Sequence, residues 1–525
     1  MKTTKLLIAF LLFVTLLLAG CGTREAPVLD VPEGARAGQL AGLEACEYQP
    51  AGSKAKFAAE CGTLVVPENW DKAATRLIAL PVVRIPASGT NPAEPVFYLL
   101  GGPGLSNLSL APPDWLPEDH DVVIVGYRGV DGTVRLACPD VTRLIGAHKG
   151  KDLFSEQARA EYAAAVGQCA AAHQAAGVDL AGYTVPNVVE DLEAARLAFG
   201  YDRINLFSQS FGTRIAQLYA YLHPGSLHRL VLFGIAKPGS LVDDPAVFDQ
   251  MIERISELCA QDAACSRRTD DFAQTMYAVN HNMPRRWLFF NIDPATVRVG
   301  AHFAFMSARD MPMALDAYLA AAEGDPSGLA MANLYTSLQP IEAQLYGDQA
   351  SKAGTLDADQ YAGIESVSLG DSIMGAPLSE LFWPMVEAWP IELAPEDLRE
   401  FQATDVQMLL VNGSLDFSTP PMALDEARPY FHNAQIVLLP EFGHTNDVRT
   451  LQPEAFERLV TSYYQTGVAD DSLFVYQPLS FEPAMRLTVV GKALVAAMVG
   501  LPALLVLGVV LVVRRIRRRR AVRFG

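Results

Sequence analysis

Short apolar runs alternate with amphipathic stretches in two separate parts of the chain. Val96 to Leu100 and Val122 to Val125 are continuous apolar runs, the pattern of strands buried on both faces. Val188 to Phe199 carries apolar residues at helical spacing and stops at Gly200, a residue suited to ending a helix. Ile204 to Phe207 then reads as a strand, Phe211 to Leu222 as a helix stopped by Pro224, and Leu230 to Phe233 as another strand. Such alternation predicts a mostly parallel sheet with helices on its faces. It lapses between about Ile235 and Arg399, where Ala, Met and Pro abound and strand-like runs are missing. It resumes with a strand over Met408 to Val411, a helix over Pro421 to Tyr430, a strand over Ile436 to Leu439 and a helix over Pro453 to Tyr464. The pattern is that of an α/β core interrupted by a helical insertion.

The two ends read differently from the middle. Met1 to Gly20 opens with Lys2 and Lys5, runs through an apolar stretch and closes on Leu18-Ala19-Gly20-Cys21, the make-up of a secretory signal. That ending resembles the bacterial lipobox, in which Cys21 would be lipidated. Ala493 to Val513 holds no charged residue and is long enough to cross a hydrocarbon core of ~30 Å as a helix. Arg514, Arg515 and Arg517 to Arg520 follow at once, a cluster that stays cytoplasmic. The expectation is a bacterial cell membrane protein, anchored by lipidated Cys21 and a C-terminal transmembrane helix, with the middle outside the cytoplasm.

Charge sharpens this division. The formal net charge is -18, from 41 Lys+Arg and 59 Asp+Glu. Ten of the basic residues lie before Cys21 or from Lys492 onward, so the middle carries 31 against 59, a net -28. A surface this acidic argues against nucleic acid as partner, because phosphates recruit Lys and Arg. Beyond Cys21 six cysteines remain: Cys46, Cys61, Cys138, Cys169, Cys259 and Cys265. An even number in an exported chain reads as a disulfide set. Proximity suggests 46 with 61, 138 with 169 and 259 with 265, although six cysteines allow fifteen connectivities. No Cys-x-x-Cys or His-x-x-x-His spacing is present, so no metal is expected.

The chemistry centres on Phe207-Ser208-Gln209-Ser210-Phe211-Gly212, set between an apolar strand and an amphipathic helix, where a nucleophile elbow belongs. Ser210 stands at the corner and is the expected nucleophile, with Ser208 as its rival and in place of the usual elbow glycine. Asp416 falls just past a buried strand and His444 just past the next. Ser210, Asp416 and His444 follow the chain order of the α/β-hydrolase fold. His444 would take the serine proton and Asp416 would fix its imidazole. Asp425 is a rival acid inside a predicted helix. Leu100-Gly101-Gly102-Pro103-Gly104 directly follows a strand; its glycines would let an amide, expected to be that of Gly102, join the Phe211 amide as an oxyanion hole. No cofactor is implied.

Together the Gly-Gly-Pro-Gly loop, Arg128-Gly129, the elbow at Ser210, Asn412 to Pro421 and Phe442-Gly443-His444 resemble the secreted tripeptidyl aminopeptidase and prolyl aminopeptidase group of serine peptidases. Cys46 to Trp70 resembles that group's lead-in, and Cys259 to Cys265 a short cysteine pair in its cap. The resemblance covers roughly Cys46 to Thr466. It implies an α/β-hydrolase core with a helical cap, and release of short N-terminal peptides or amino acids. It also implies acidic cap residues for the substrate's α-amine, for which Glu253, Glu365, Asp371 and Glu380 are candidates. Three departures stand out: Gly126 where an acid usually precedes Arg-Gly, Ser208 in the elbow, and Leu105 where further glycines are usual.

The expected division is a lipoprotein signal (1–20), a lead-in (22–95), the core's first half (96–235), a helical cap (236–400), the core's second half (401–469), a linker (470–488), a transmembrane helix (489–513) and a basic tail (514–525). The expected function is an exported serine aminopeptidase working through an acyl-enzyme on a peptide or small acyl substrate. An esterase or lipase of the same fold, and an inactive hydrolase-fold binding protein, are the alternatives.

Overall fold

A computed structural model of the chain describes residues 28–51, 53–109, 111–239, 243–339, 345–353, 363–390 and 392–521. The expected signal and Cys21 lie outside these residues. Nine strands form one sheet: β1 (Gln39–Tyr48), β2 (Phe57–Pro67), β3 (Leu77–Ile85), β4 (Ala93–Leu99), β5 (His120–Val125), β6 (Ile204–Gln209), β7 (Leu227–Phe233), then β10 (Gln407–Gly413) and β11 (Ala434–Leu439) beyond a small hairpin of β8 (Arg286–Trp287) and β9 (Phe290–Asn291). The spatial order is β1-β2-β3-β5-β4-β6-β7-β10-β11. From β5 to β11 all neighbours are parallel.

The lead-in does more than the sequence pattern suggests. Its β1, β2 and β3 pair antiparallel and join the sheet through β5. They escape a periodicity reading because β1 is mostly partly exposed and β3 carries Pro81 in its middle, a residue that argues against a strand interior. The ladder tolerates Pro81 because its carbonyl still accepts from the Gly126 amide at 2.8 Å.

The central strands are buried along their length, and Ile204–Gln209 is buried at every residue. On one face they pack against the helices Val185–Phe199 and Phe211–Leu222, with Leu192, Ile215 and Tyr219 almost fully buried. On the other face Phe207 stacks with Tyr98 and meets Phe233 and Phe456, the last from the helix Pro453–Thr466. Each such side chain contributes about 1.5–3 kcal/mol by leaving water. The helix before β6 ends as its sequence predicts, with Gly200 left-handed at φ 75°.

The insertion is helical: Pro245–Gln261, Phe272–His281, Pro294–Phe305, Met311–Ala322, Ser327–Leu338, Tyr346–Lys352 and Pro377–Ala388. The first five share a separate apolar cluster that reaches Leu415 and Phe417 beside the second half of the core, whereas Tyr346 and Ala350 of Tyr346–Lys352 belong to the main core cluster. Disulfides join Cys46 to Cys61, Cys138 to Cys169 and Cys259 to Cys265, the pairing that proximity suggests.

The C-terminal expectation is corrected. A helix does run over Leu487–Ala521, but among the described residues no helix is long and apolar enough to cross a membrane. Its first turns are taken up by protein contacts instead. Leu487 is buried in the insertion's cluster, Gly491 lies against Met331, and Lys492 pairs with Asp325 at 2.6 Å. Within the 470–488 segment, which is mostly exposed, Leu479 and Phe481 are buried, and Glu441 accepts from the Tyr476 hydroxyl and the Leu479 amide.

Candidate active site

At the end of β6 the backbone turns so sharply that Ser210 takes φ 52° and ψ -128°. A non-glycine residue pays for such a conformation, and it points the side chain off the sheet's carboxyl edge. Three hydrogen bonds hold the turn: the Ser210 amide donates to Phe233 O (3.0 Å), the Thr213 hydroxyl to Ser210 O (2.7 Å), and the Ala236 amide to the Thr213 hydroxyl (2.8 Å). Two glycines make room. A Cβ at Gly212 would stand 2.6 Å from Leu99 O, and one at Gly101 would stand 2.8 Å from the Ser210 Cβ.

Ser208 is placed differently from its rival. It is fully buried in β6, and its hydroxyl donates to Val231 O of the neighbouring strand at 3.0 Å. The position that usually holds glycine thus accommodates a serine by giving its hydroxyl a partner. Ser208→Gly should leave turnover within about 2-fold of wild type while lowering stability by about 1–2 kcal/mol, from the lost bond and glycine's backbone freedom; urea unfolding beside initial-rate assays measures both.

Asp416 follows β10 and is 1% exposed. Its carboxylate accepts from the Ser418 and Thr419 amides (both 2.9 Å), from the Thr419 hydroxyl (2.8 Å) and from His444 Nδ1 (2.8 Å). Since it can only accept, the hydrogen of neutral His444 resides on Nδ1 and Nε2 keeps its lone pair. His444 follows β11, and its amide donates to Met306 O of the insertion at 2.7 Å. Asp425, the rival acid, is exposed on the helix Met422–Ala427 and pairs with Arg428.

Ser210, His444, Gly102 and Phe211 all line one cavity of ≈ 370 Å³, together with Gly101, Pro103 and Thr419. Phe211 opens the helix Phe211–Leu222, so its amide is among the donors that a helix leaves unbonded at its N-terminus. The cavity therefore gathers a hydroxyl, an imidazole fixed by a carboxylate, and the two residues whose amides are the expected oxyanion donors. That set can attack a carbonyl, move the proton and stabilise the oxyanion.

The glycine loop is pinned from below. Asn107, fully buried, accepts from the Leu100 amide and donates to Tyr98 O and Val125 O. Asp131 accepts from the Ser106 hydroxyl and the Tyr127 amide. It also answers the missing acid at Gly126, because a side chain there would run into Asp131 Cβ at 2.7 Å. An acid does stand in that space, supplied from five residues further on. Arg128 is fully buried and forks onto Asp191 at 2.5 and 2.6 Å.

The insertion supplies residues that no local pattern announces. Asp447 accepts from the Ala308 amide (2.6 Å) and the Gly443 amide (3.1 Å), tying the histidine loop to the insertion. His302 is buried nearby, and its pKa is lowered to about 4 by burial and then by His444, against the pull of Asp416. It is therefore neutral at pH 7 and adds no charge against a forming imidazolium. Asp243 is the one carboxylate among the described lining residues of the cavity. Burial raises its pKa to about 7, opposed by Arg214, which also lines the cavity. The four acids expected to meet a substrate amine do not line it: Glu253, Glu365 and Asp371 are exposed, and Glu380 is buried against Arg298 and Arg159. Cys138, Cys169 and His173 are the one described group with metal-ligand spacing, but both sulfurs are joined in a disulfide.

A family model described as alpha/beta hydrolase fold matches residues 94–446. A tripeptidyl aminopeptidase of Streptomyces lividans is 28% identical over 191 residues, 34% of this chain and 36% of that one. Serine protease Hip1 of Mycobacterium tuberculosis is 28% identical over 239 residues, 40% of this chain and 43% of that one. The match thus spans less than half the length of either relative. Among solved structures, a serine hydrolase from a Cycloclasticus species covers 82% of this chain and 100% of its own, at 14% identity and a TM-score of 0.34.

Proposed function

The chain belongs to the alpha/beta hydrolase fold family, and from that premise we propose that it is a serine aminopeptidase acting outside the cytoplasm. Ser210 attacks the carbonyl of the bond to be cut while His444 Nε2 takes its proton. The Gly102 and Phe211 amides receive the oxyanion, His444 returns the proton to the leaving amine, and water then releases the acyl group from Ser210 by the same route. Asp416 keeps the imidazole in the required tautomer. Three disulfides support an oxidising compartment.

The observation that carries the peptide reading is Asp243, a half-buried carboxylate lining the same cavity as Ser210, with its pKa raised by desolvation. Such a group suits the ammonium at a peptide's N-terminus, and Leu105, Phe303, Met306, Leu378 and Phe382 give the cavity an apolar remainder for side chains. The pH dependence follows from its raised pKa. Below pH 7 Asp243 is protonated and cannot pair; above about pH 8 a peptide α-amine loses its charge. The ratio of kcat/KM for a free-amine peptide amide to that for an acyl ester without an amine should therefore peak between these values. Asp243→Asn should flatten that profile and cost the free-amine substrate on the order of 10²-fold in kcat/KM, with ester hydrolysis changed less than about 3-fold. Equal hydrolysis of free and N-acetylated reporters would overturn the aminopeptidase reading and leave an esterase.

A further inference from the structure

We propose that Asp348, carried on the insertion, is a positioning residue for the oxyanion loop, so that docking of the helix Tyr346–Lys352 completes the site. The inference rests on the serine-hydrolase reading of Ser210. Its starting point is that the loop cannot hold itself. Gly102 and Gly104 both have positive φ, 147° and 83°, and glycines bring no conformational preference of their own. The core grips the loop at its two ends: the Tyr127 hydroxyl donates to Leu100 O (2.9 Å), and Asp131 takes the Ser106 hydroxyl (2.7 Å).

The tip is held from elsewhere. Asp348 Oδ2 accepts from the Gly104 amide at 3.0 Å across 244 residues of chain, and the Leu345 amide donates to Gly104 O at 2.8 Å. One short segment of the insertion therefore holds both backbone groups of the residue two positions after Gly102. The other carboxylate oxygen accepts from Lys352 Nζ at 2.5 Å, and the same ammonium donates to Arg128 O at 3.2 Å. Asp348 and Lys352 are 0% and 1% exposed.

Gly129 shows how closely this is built. Its φ is +82°, and a Cβ there would stand 2.4 Å from Asp348 Oδ1. The Arg-Gly pair after β5 and the Gly-Gly-Pro-Gly loop after β4, separate motifs in the sequence, thus meet on one carboxylate from the insertion. Gln349, the next residue, lines the catalytic cavity. A buried ion pair is a weak device for stability, since desolvation offsets most of its attraction. Its geometric effect is specific: it sets where the Gly102 amide points, and an oxyanion donor works only when aimed in advance.

The test is the rate at which a fluorophosphonate inactivates the full-length protein, a reaction that needs Ser210 and the oxyanion hole and no knowledge of the substrate. In Asp348→Asn the Lys352 ammonium claims the one remaining side-chain oxygen, which turns the NH2 toward the Gly104 amide and breaks the loop contact. The inactivation rate constant at saturating reagent should fall about 10²-fold, with the half-saturating concentration within about 3-fold of wild type. Adding Lys352→Met frees that oxygen for Gly104, and the double variant should recover to within about 10-fold of wild type. Glu380→Gln, at another buried ion pair of the insertion, should lower Tm and leave the rate constant unchanged. If Asp348→Asn does not fold, Gly129→Ala displaces the carboxylate with both charges kept and should show the same loss. A folded Asp348→Asn that reacts at the wild-type rate, or a double variant no faster than the single one, overturns the proposal. A wild type that the reagent does not label would instead remove the serine-hydrolase reading and this inference with it.

Discussion

Replacing Ser210 by alanine is expected to lower kcat by about 10⁶-fold while leaving the fold and KM almost unchanged. The size follows from the chemistry: without a hydroxyl there is no covalent route, and His444 and Asp416 then have nothing to activate. What remains is the contribution of the oxyanion donors and of substrate binding, about 10³-fold over water. The stability cost is small because Ser210 is only partly buried and its fold-holding bonds are made by its backbone amide and carbonyl. Relief of the positive φ does not come with alanine, which is strained there as serine is. Pre-steady-state assays separate the two claims: the burst of released leaving group should vanish, and Tm should stay within a few degrees.

The second large effect is expected at Asp416→Asn. Asparagine keeps the shape, and its oxygen can still accept from the Ser418 and Thr419 amides. Its NH2 then faces His444 Nδ1 and donates where the carboxylate accepted. The imidazole is driven to carry its hydrogen on Nε2, the nitrogen that must accept from Ser210. A fall of about 10⁴-fold in kcat is expected from the wrong tautomer alone, with KM nearly constant and little loss of stability. Nitrogen-15 spectra of the His444 ring check the cause directly, since the protonated nitrogen should exchange identity between wild type and variant. Loss of activity with the tautomer unchanged would mean that Asp416 acts in another way.

How much of this was legible in the sequence depends on how local each feature is. The central sheet reads well because buried parallel strands are continuous apolar runs, and β6 with its following helix is marked by one strand, one small-residue turn and one amphipathic stretch. The three N-terminal strands did not read, because β1 mixes exposed and half-buried positions and Pro81 interrupts β3. The triad was legible as an order of residues after strands. The residues that support it were not: Asp131 comes from a turn, Asp348 and His302 from the insertion and Asp447 from the helix Thr445–Thr450, and their meaning arises only from contacts between distant segments. The amine-binding candidates failed for the same reason, since charge in the insertion says nothing about which side chain faces the cavity. At the C-terminus, hydropathy alone suggested a membrane span, and what it could not register was the packing of Leu487, Gly491 and Lys492 against the insertion.

Every rate effect above requires Ser210 to be the nucleophile. The direct measurement is to react the folded protein with a fluorophosphonate, digest it and locate the adduct by mass spectrometry. One adduct on Ser210, absent from Ser210→Ala, is the predicted result; no adduct, or one that sits on Ser208 and survives in Ser210→Ala, would contradict it.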